Sequence, residues 1–310
     1  MRLVFAGTPA AAVPSLDILA QGRHEIAAVL TRPDAPVGRK RVLTPSPVAA
    51  RAGELGLPVD RPSALDADYA ARLEGLAPDL GVVVAYGALL REPILSLPRL
   101  GWINLHFSLL PRWRGAAPVQ HALLAGDRET GASVFQLERG MDTGPVFGTL
   151  RRPIAPGETA GDLLADLARS GAGLLAGVVD SLADGTAVAE PQTGEATLAP
   201  KLTLLDGAVD WRLPAERVLD RIRGATPEPG AFLVLGDARL KVHEAGRASG
   251  AERIEPGRLE LAGGRVLLGT ADEPIELVRV QPPGGRAMDA AAWWRGRGQD
   301  APVAGLAVPA

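Results

Sequence analysis

Short apolar runs alternate with helical patterns along the first half of the chain. The runs predict buried strands at residues 3–6, 26–31, 80–85, 101–106 and 132–137. Apolar residues at helical spacing predict helices near residues 14–21, from Pro47 onward, and over residues 162–183. Ser46 and Pro47 suit a helix start, because serine caps free N–H groups and proline lacks one. Strands that alternate with helices favour a mostly parallel sheet, so the first half is predicted to be an α/β domain.

The second half of the chain has a different pattern. Residues 184–194 are rich in glycine, proline, threonine and glutamate, which is typical of a linker. One short helix is predicted near residues 215–223 and another at 290–294. Between them the apolar runs predict short strands at residues 232–235, 239–244, 257–261, 265–269 and 275–281. This spacing favours a small β-barrel or sandwich, and 310 residues are enough for two domains.

Composition narrows the class of protein. With 46% hydrophobic and 22% charged residues, the chain has the balance of an ordinary globular protein. A net charge of −3 and a pI near 5.9 argue against a general nucleic-acid binder, so any RNA contact must be local. The absence of cysteine excludes a disulfide framework, a thiolate nucleophile and a cysteine-ligated zinc site. The 4 histidines have no paired spacing, so no metal is expected.

Several common targeting and cofactor motifs are missing. The apolar run in residues 1–7 is too short for a signal peptide, and no run reaches about 18 apolar residues. We therefore expect a cytoplasmic protein that does not contact a membrane. Residues 6–9 lack the lysine of a Walker loop and the spaced glycines of a dinucleotide fingerprint. Residues 131–133 do not continue into the nucleophile elbow of a serine hydrolase.

Three polar residues carry the candidate chemistry. Asn104 and His106 lie two apart on a predicted strand, roughly 7 Å apart along it, and therefore face the same way. His106 lies at the carboxyl end of that strand, where ligands bind in open α/β sheets. Asp142 lies between Gly140 and Gly144, which let the chain turn toward this edge. An amide and an imidazole facing one pocket suit a carbonyl that becomes tetrahedral, because both can donate to the oxygen where negative charge develops.

Each of the three residues also has a purely structural interpretation. Asn104 is then a satisfied buried amide, His106 a satisfied core histidine, and Asp142 a residue that forms a turn. If Asp142 lies beside His106, we expect the carboxylate to raise the pKa of the ring. The imidazolium could then donate to an oxyanion near neutral pH.

Basic side chains form two compact groups. Arg39, Lys40 and Arg41 lie in segment 33–45, which is longer than the few residues that usually join a strand to a helix. Arg112 and Arg114 form a second pair just after the candidate strand. A solvated surface is the alternative interpretation of both groups.

Eight motifs distributed over the chain point to one family. They are FAGTP at 5–9, PSPV at 45–48, VVVAYG at 82–87, Ile103-Asn104 with His106, SLLPRWRGAAP at 108–118, DTG at 142–144, KL at 201–202 and DW at 210–211. On these residues the chain resembles the methionyl-tRNA formyltransferases, within the wider family of folate-dependent formyltransferases. The undecapeptide is highly specific, whereas Asn-x-His with a later Asp is shared by all the folate formyl-transferring enzymes.

The resemblance implies a fold and an activity. Residues 1–185 would form a Rossmann-like formyltransferase domain, 186–204 a linker, and 205–310 a smaller OB-like β-barrel that contacts tRNA. The co-substrate would be 10-formyltetrahydrofolate, and the acceptor the α-amine of methionine on initiator tRNA. Asn104 and protonated His106 would hold the oxyanion, while Asp142 orients and charges His106 and helps move a proton.

The resemblance also implies binding residues. The pteridine pocket would be lined by Tyr86, Gly87, Ser108, Leu109, Leu110, Pro111 and Met141. Contacts to tRNA would come from Arg39, Lys40, Arg41, Arg112 and Arg114. The long loop would wedge against the acceptor end of tRNA, with Arg39 helping to recognise its terminal base pair. We expect the chain to act as a monomer.

Three other functions are weighed against this one. A formyltetrahydrofolate hydrolase uses a similar trio with water as acceptor, but the second domain argues against it. A formyltransferase acting on another amine does not explain the basic cluster beside SLLPRWRGAAP. A catalytically idle RNA-binding protein on the same scaffold is expected to have lost one of the three polar residues, and all three are present.

Overall fold

The computed structural model describes residues 1–38, 40–296 and 302–306. The chain divides into two compact units. The first comprises Met1–Pro118, Thr130–Arg152 and Leu164–Leu198, and the second Val119–Glu129, Pro153–Leu163 and Ala199–Ala310. The boundaries drawn from the sequence, with a linker at 186–204, stay a prediction, although residues of that linker up to Leu198 fall within the first unit.

The elements of the first half alternate as the apolar pattern predicts. The strands are β1 (Arg2–Gly7), β2 (Glu25–Leu30), β3 (Ala35–Val37), β4 (Val42–Thr44), β5 (Val59–Asp60), β6 (Leu80–Val84), β7 (Trp102–His106), β8 (Glu129–Gln136) and β9 (Val146–Pro153). The helices are α1 (Val13–Ala20), α2 (Pro47–Glu54), α3 (Ala67–Gly75), α4 (Pro118–Ala125) and α5 (Ala160–Ala183). The sequence pattern missed β5, β9, α3 and α4.

A seven-stranded sheet in the order β5-β2-β1-β6-β7-β8-β9 organises these elements. From β5 to β7 along this order neighbouring strands pair in parallel, whereas β7 and β8 pair antiparallel. All five residues of β6 are buried, as is typical of a strand inside a mostly parallel sheet. At the start of α2 the Ser46 hydroxyl accepts a hydrogen bond from Ala49 N at 3.0 Å, which confirms the predicted cap.

Segment 33–45 contains two short strands that pair antiparallel. Strands β3 and β4 pair from Ala35 opposite Thr44 to Val37 opposite Val42. Three apolar side chains of these strands, Val37, Val42 and Leu43, are 56–68% exposed to solvent. The sequence pattern missed this pairing because each strand has only three residues.

The second half is built around an antiparallel sheet. Its strands are β10 (Phe232–Leu235), β11 (Ala238–Arg247), β12 (Leu259–Ala262), β13 (Arg265–Leu268), β14 (Ile275–Gln281) and β15 (Met288–Asp289), and its helices are α6 (Ala215–Ala225) and α7 (Ala290–Arg295). The strands follow the order β10-β11-β14-β13-β12, with β15 on β14. The core of this half includes Val218, Leu240, Leu259 and Val280. The predicted order of an α/β domain with a mostly parallel sheet and then a smaller β domain is confirmed, and the sheet of the second domain is antiparallel.

Candidate active site

Strand β7 places Asn104 and His106 at one edge of the sheet. Asn104 is opposite Val83 of β6 and Phe135 of β8, and His106 is opposite Ser133. The two residues are two positions apart on one strand, so their side chains leave the same face. His106 is the last residue of β7, at the carboxyl end where parallel α/β sheets bind ligands.

The hydrogen bonds of His106 fix which ring nitrogen carries the proton. Its Nε2 lies 2.8 Å from the carbonyl oxygen of Trp113, which can only accept. Nε2 therefore carries a hydrogen, and Nδ1 presents a lone pair when the ring is neutral. Nδ1 lies 3.8 Å from Oδ2 of Asp142, which is too long for a hydrogen bond and short enough for an ion pair. The structure thus brings His106 and Asp142 together, as the sequence predicts.

The charge of His106 differs from the expectation. Burial of the ring lowers the pKa of His106 below its usual value, and the nearby Asp142 carboxylate and Trp113 carbonyl only partly oppose this effect. Asp142 does raise the pKa of the ring, as expected, but burial outweighs it, so the neutral ring rather than the expected imidazolium is favoured near neutral pH. The reason is that the ring is only 5% exposed, and the loss of hydration penalises the imidazolium more than one carboxylate compensates.

The lowered pKa of His106 predicts an acid-sensitive fold. The native state prefers the neutral ring, so the unfolded state binds more protons as the pH falls below the ordinary value of 6.5. We expect the free energy of unfolding to fall in this window, down to the pKa of the folded state. In a His106→Asn variant this part of the loss is absent. Urea unfolding at about pH 5.5 and 7.5 checks this, and an equal loss in both proteins contradicts it.

Among the described residues, the buried Oδ1 of Asn104 has no hydrogen-bond partner. Burial raises the pKa of the Tyr86 hydroxyl, and the nearby Arg32 only partly opposes this effect, so the hydroxyl is neutral. An unsatisfied buried polar atom costs about 1–3 kcal/mol, which a bound ligand can recover. The Asn104 amide is therefore placed to meet a ligand atom rather than to complete the core.

The turn that carries Asp142 has a backbone conformation that is unfavourable for a non-glycine residue. Asp142 has a φ of 51°, in the left-handed region that non-glycine residues seldom adopt. Its Oδ2 accepts a hydrogen bond from Gly115 N at 2.7 Å, so the side chain ties this turn to the loop after β7. At Gly144, a Cβ would collide with the carbonyl oxygen of Gln136, which explains the glycine.

Adding a methyl group at Gly144 is expected to weaken the fold. The backbone carbonyl of Gln136 occupies the space, so Gly144→Ala should lower the free energy of unfolding by about 1–3 kcal/mol. Gly177→Ala is the matched control, because nothing lies within 4 Å of its Cβ position and it lies inside α5. That variant should gain about 0.5–1 kcal/mol from helix propensity. Urea unfolding of both variants measures the difference, and equal stabilities contradict the account.

Sequence reasoning missed the segment that holds these loops. Residues 190–197, which belong to the linker expected from the family resemblance, connect the loop after β7 to the turn of Asp142. Glu190 exchanges two backbone hydrogen bonds with Val146, at 2.8 and 2.9 Å. Thr197 accepts from Trp113 N through its hydroxyl and from Arg114 N through its carbonyl, both at 2.9 Å. Polar side chains such as Gln192 and Thr197 are the one signal in this segment that could have indicated this role.

Comparison with known proteins identifies the family. A sequence model described as formyl transferase matches residues 1–179, and one described as formyl transferase, C-terminal domain, matches residues 201–298. The chain is 62% identical over 296 residues to the methionyl-tRNA formyltransferase of Clavibacter sepedonicus, covering 96% of this chain and 97% of that protein. The chain belongs to the methionyl-tRNA formyltransferase family.

Solved structures share the fold of this family member. WlaRD, a sugar 3N-formyl transferase crystallised in the presence of dTDP and 5-N-formyl-THF, superposes with a TM-score of 0.68 at 17% identity, covering 92% of this chain and 99% of that one. HypX from Aquifex aeolicus gives a TM-score of 0.67 at 15% identity over 94% of this chain. The match spans 48% of the HypX chain. These likenesses concern the fold alone.

The loop that the family resemblance assigns to folate packs tightly onto β8. The Ser108 hydroxyl donates to the carbonyl of Arg112 at 2.6 Å, and Ser133 on β8 donates to the carbonyl of Ser108 at 2.8 Å. Ser133 also accepts from Leu110 N at 3.3 Å. Ser108 and Pro111 are buried, whereas Leu109 and Leu110 are half-buried. The hydroxyl of Ser108 thus supports the loop, and the leucines are the side chains that remain accessible.

The other predicted pocket residues of this formyltransferase differ in exposure. Tyr86 is 2% exposed, while Gly87 is exposed and has a φ of 84°. Met141 is 62% exposed, next to Asp142. Their roles in binding folate stay predictions.

The residues predicted to contact tRNA differ in their exposure and in their side-chain contacts. Arg39 lies outside the described residues, whereas Lys40 and Arg41 are exposed at the hairpin of β3 and β4. The guanidinium of Arg112 lies 5.1 Å from the centre of the Trp113 ring. Arg114 is half-buried, and its guanidinium donates to Oε1 of Gln192 at 2.6 and 3.2 Å. A contact of any of these residues with tRNA stays a prediction.

Metal-binding groups and membrane-spanning helices are both absent from the part of the chain that the structure describes. Residues 1–38, 40–296 and 302–306 contain no group of three or more His, Asp or Glu side chains that could hold a metal ion. No helix in these same ranges combines the length and the apolar character needed to cross a membrane.

Proposed function

We propose that this protein transfers the formyl group of 10-formyltetrahydrofolate to the α-amine of methionine on initiator tRNA. The curated relative from Clavibacter sepedonicus carries this activity in its name, at 62% identity over nearly the whole chain. The structurally similar WlaRD was crystallised with a formyl-THF. The single observation that carries the chemistry is the unpartnered, buried Oδ1 of Asn104 on the same strand face as His106.

The site fits a formyl donor because it offers the buried amide of Asn104, whose Oδ1 has no partner among the described residues. The Asn104 amide can present either its oxygen or its NH₂ to the pocket, since the two ends of an amide exchange by rotation. With the NH₂ inward it donates to the formyl oxygen. Such a preset donor is worth about 2.7–4 kcal/mol when the oxygen becomes an oxyanion.

The neutral ring of His106 sets the direction of proton transfer. As the methionine amine forms its bond to the formyl carbon, the amine nitrogen gives up a proton to Nδ1 of His106. The imidazolium so formed lies beside Asp142, which stabilises it. It donates to the oxyanion and then returns the proton to the folate nitrogen as the old carbon–nitrogen bond breaks. A base with a lowered pKa suits the first step, because it starts the cycle unprotonated.

Water is the acceptor that must be distinguished from the amine. A hydrolase would use the same trio and release formate, and an amino-sugar formyltransferase such as WlaRD has the same fold. The C-terminal match over residues 201–298 favours a macromolecular acceptor, because the relatives that share it at high identity are methionyl-tRNA formyltransferases.

The experiment follows a labelled formyl group. Purified protein is given 10-[¹⁴C]formyltetrahydrofolate with methionyl initiator tRNA, with unacylated tRNA, or with a dTDP-amino sugar. We expect label on methionyl-tRNA alone, and little formate without it. Release of labelled formate at the same rate in all three reactions would overturn the proposal in favour of hydrolysis.

Arg39 is expected to govern the choice of tRNA. An Arg39→Ala variant should lose discrimination between initiator and elongator methionyl-tRNA while its KM for the formyl donor is unchanged. The reason is that a contact to the terminal base pair carries specificity, whereas a phosphate contact affects all tRNAs alike. Steady-state kinetics on both tRNAs measure this. Equal losses on the two substrates would instead indicate nonspecific attraction to phosphate.

We also propose that one chain is the working unit, acting in the cytoplasm where charged tRNA is consumed. Asn104, His106 and Asp142 all come from the same chain and the same compact unit. No residue of a second copy is needed to complete the trio. Sedimentation analysis at assay concentration tests the monomer.

A further inference from the structure

We propose that Gln192 is a positioning residue. It holds the Asp142 turn so that the Asp142 carboxylate faces His106. This inference rests on the proposed function, because it assigns Gln192 to the same reaction. Gln192 is not part of the strand or of the turn. It reaches the site from segment 190–197, which the sequence presents only as a linker.

The side-chain amide of Gln192 is fully engaged. Its Nε2 donates to the carbonyl of Asp142 at 2.8 Å and to the carbonyl of Gly144 at 2.9 Å. Its Oε1 accepts from Nε and Nη2 of Arg114, at 3.2 and 2.6 Å. Two donor hydrogens and one acceptor oxygen are therefore all used, which fixes both ends of the amide. One side chain thus joins the Asp142 turn to the loop after β7.

The Asp142 turn needs such a clamp. Its φ of 51° is a conformation that costs a non-glycine residue about 1 kcal/mol or more and persists only where neighbours enforce it. The carboxylate itself is tied by one hydrogen bond, from Gly115 N. Gln192 is the side chain that holds the backbone carbonyls on both sides of Thr143. Without it the turn has a lower-energy backbone conformation available, and the carboxylate would move.

Movement of the carboxylate would act on His106. Asp142 is the charged group whose field reaches the ring, while the Trp113 carbonyl bonds Nε2 and the Phe135 ring packs edge-on at 6.3 Å. The distance from Nδ1 to Oδ2 is 3.8 Å, so a shift of about 1 Å changes the attraction appreciably. A misplacement of that size can lower turnover about 100-fold.

The test replaces Gln192 in the full-length protein. Gln192→Met keeps the size and removes all four hydrogen bonds, while Gln192→Glu keeps the partner of Arg114 and removes only the two donors to the turn. We expect both variants to lower kcat by about 10- to 100-fold with KM for either substrate changed less than about 3-fold. Gln281→Met is the matched control. Gln281 also bonds a backbone carbonyl and a second side chain, at 3.0 Å each, but lies in the C-terminal sheet. Its kcat should be unchanged.

A double-mutant cycle separates positioning from general support of the fold. If Gln192 acts through Asp142, then Gln192→Met should lower kcat less than about 2-fold in an Asp142→Asn background. The full 10- to 100-fold loss in that background would overturn the inference. So would a kcat that equals that of the unaltered protein.

A second readout needs no turnover. NMR titration of the His106 ring should give a lower pKa in Gln192→Met than in the unaltered protein, because the carboxylate that favours the imidazolium has moved away. An unchanged His106 pKa would overturn the inference. If methionyl-tRNA is not formylated but this pKa falls as expected, the proposed function fails and the positioning role of Gln192 stands.

Discussion

Replacing Asn104 with alanine is expected to lower kcat by about 100-fold or more, with little change in KM for methionyl-tRNA. The buried Oδ1 of this amide has no partner among the described residues, and with the amide turned its NH₂ group donates to the formyl oxygen. Its hydrogen bond strengthens as the formyl oxygen gains charge, so its loss raises the energy of the transition state more than that of the bound substrate. Single-turnover formylation of methionyl initiator tRNA measures the effect.

The control for Asn104→Ala is another amide of the same sheet. Gln136 lies on β8 and donates to the carbonyls of Trp102 and Leu100, away from His106. Gln136→Ala should affect the free energy of unfolding and leave kcat within about 3-fold. An Asn104→Ala variant that turns over at the normal rate would remove Asn104 from the mechanism.

Asp142→Asn is expected to lower kcat by about 100-fold or more through His106. The amide can still accept from Gly115 N, so the shape of the turn is kept while the charge is lost. The carboxylate is what partly offsets the burial of the ring, so its removal lowers the pKa of His106 further. The imidazolium formed during the reaction is then without its counter-ion. Rapid-quench kinetics together with NMR titration of the ring measure both effects.

The control for Asp142→Asn is a carboxylate far from the trio. Asp184 is half exposed and pairs with Arg23 on the surface, at 2.7 Å. Asp184→Asn should leave both kcat and the His106 pKa unchanged. If the pKa of His106 in Asp142→Asn equals that in the unaltered protein, the charge of this carboxylate does not affect the ring. The proposed proton path would then be wrong.

Much of the fold could be predicted from the apolar pattern, because a long buried strand or helix produces a long run or a regular spacing of apolar residues. The strand at 80–85 and the helix at 162–183 differ from β6 and α5 by one or two residues at their ends. The hairpin of β3 and β4 and the two-residue β5 could not be found, since two or three residues carry no periodicity. Their pairing depends on neighbours that are distant in sequence.

The candidate site was partly predictable for a related reason. Asn104 and His106 share one strand, so their spacing alone predicts a common face. Asn104 is also the only asparagine in the chain. The charge of His106 could not be predicted, because it depends on a depth of burial that the sequence does not give. Gln192 could not be found either, because its partners are 48 to 78 residues away in sequence.

The central claim is that, at the end of β7, Asn104 donates to the formyl oxygen while Nδ1 of His106 accepts the proton of the attacking amine. The most direct measurement is a crystal structure with methionyl-tRNA and a 10-formyl folate analogue whose formyl group cannot be transferred. We predict that the formyl oxygen lies within about 3.2 Å of the Asn104 amide nitrogen and that the methionine amine lies within about 3.2 Å of His106 Nδ1. A formyl oxygen that points to solvent, with the two side chains bonded elsewhere, would contradict the account.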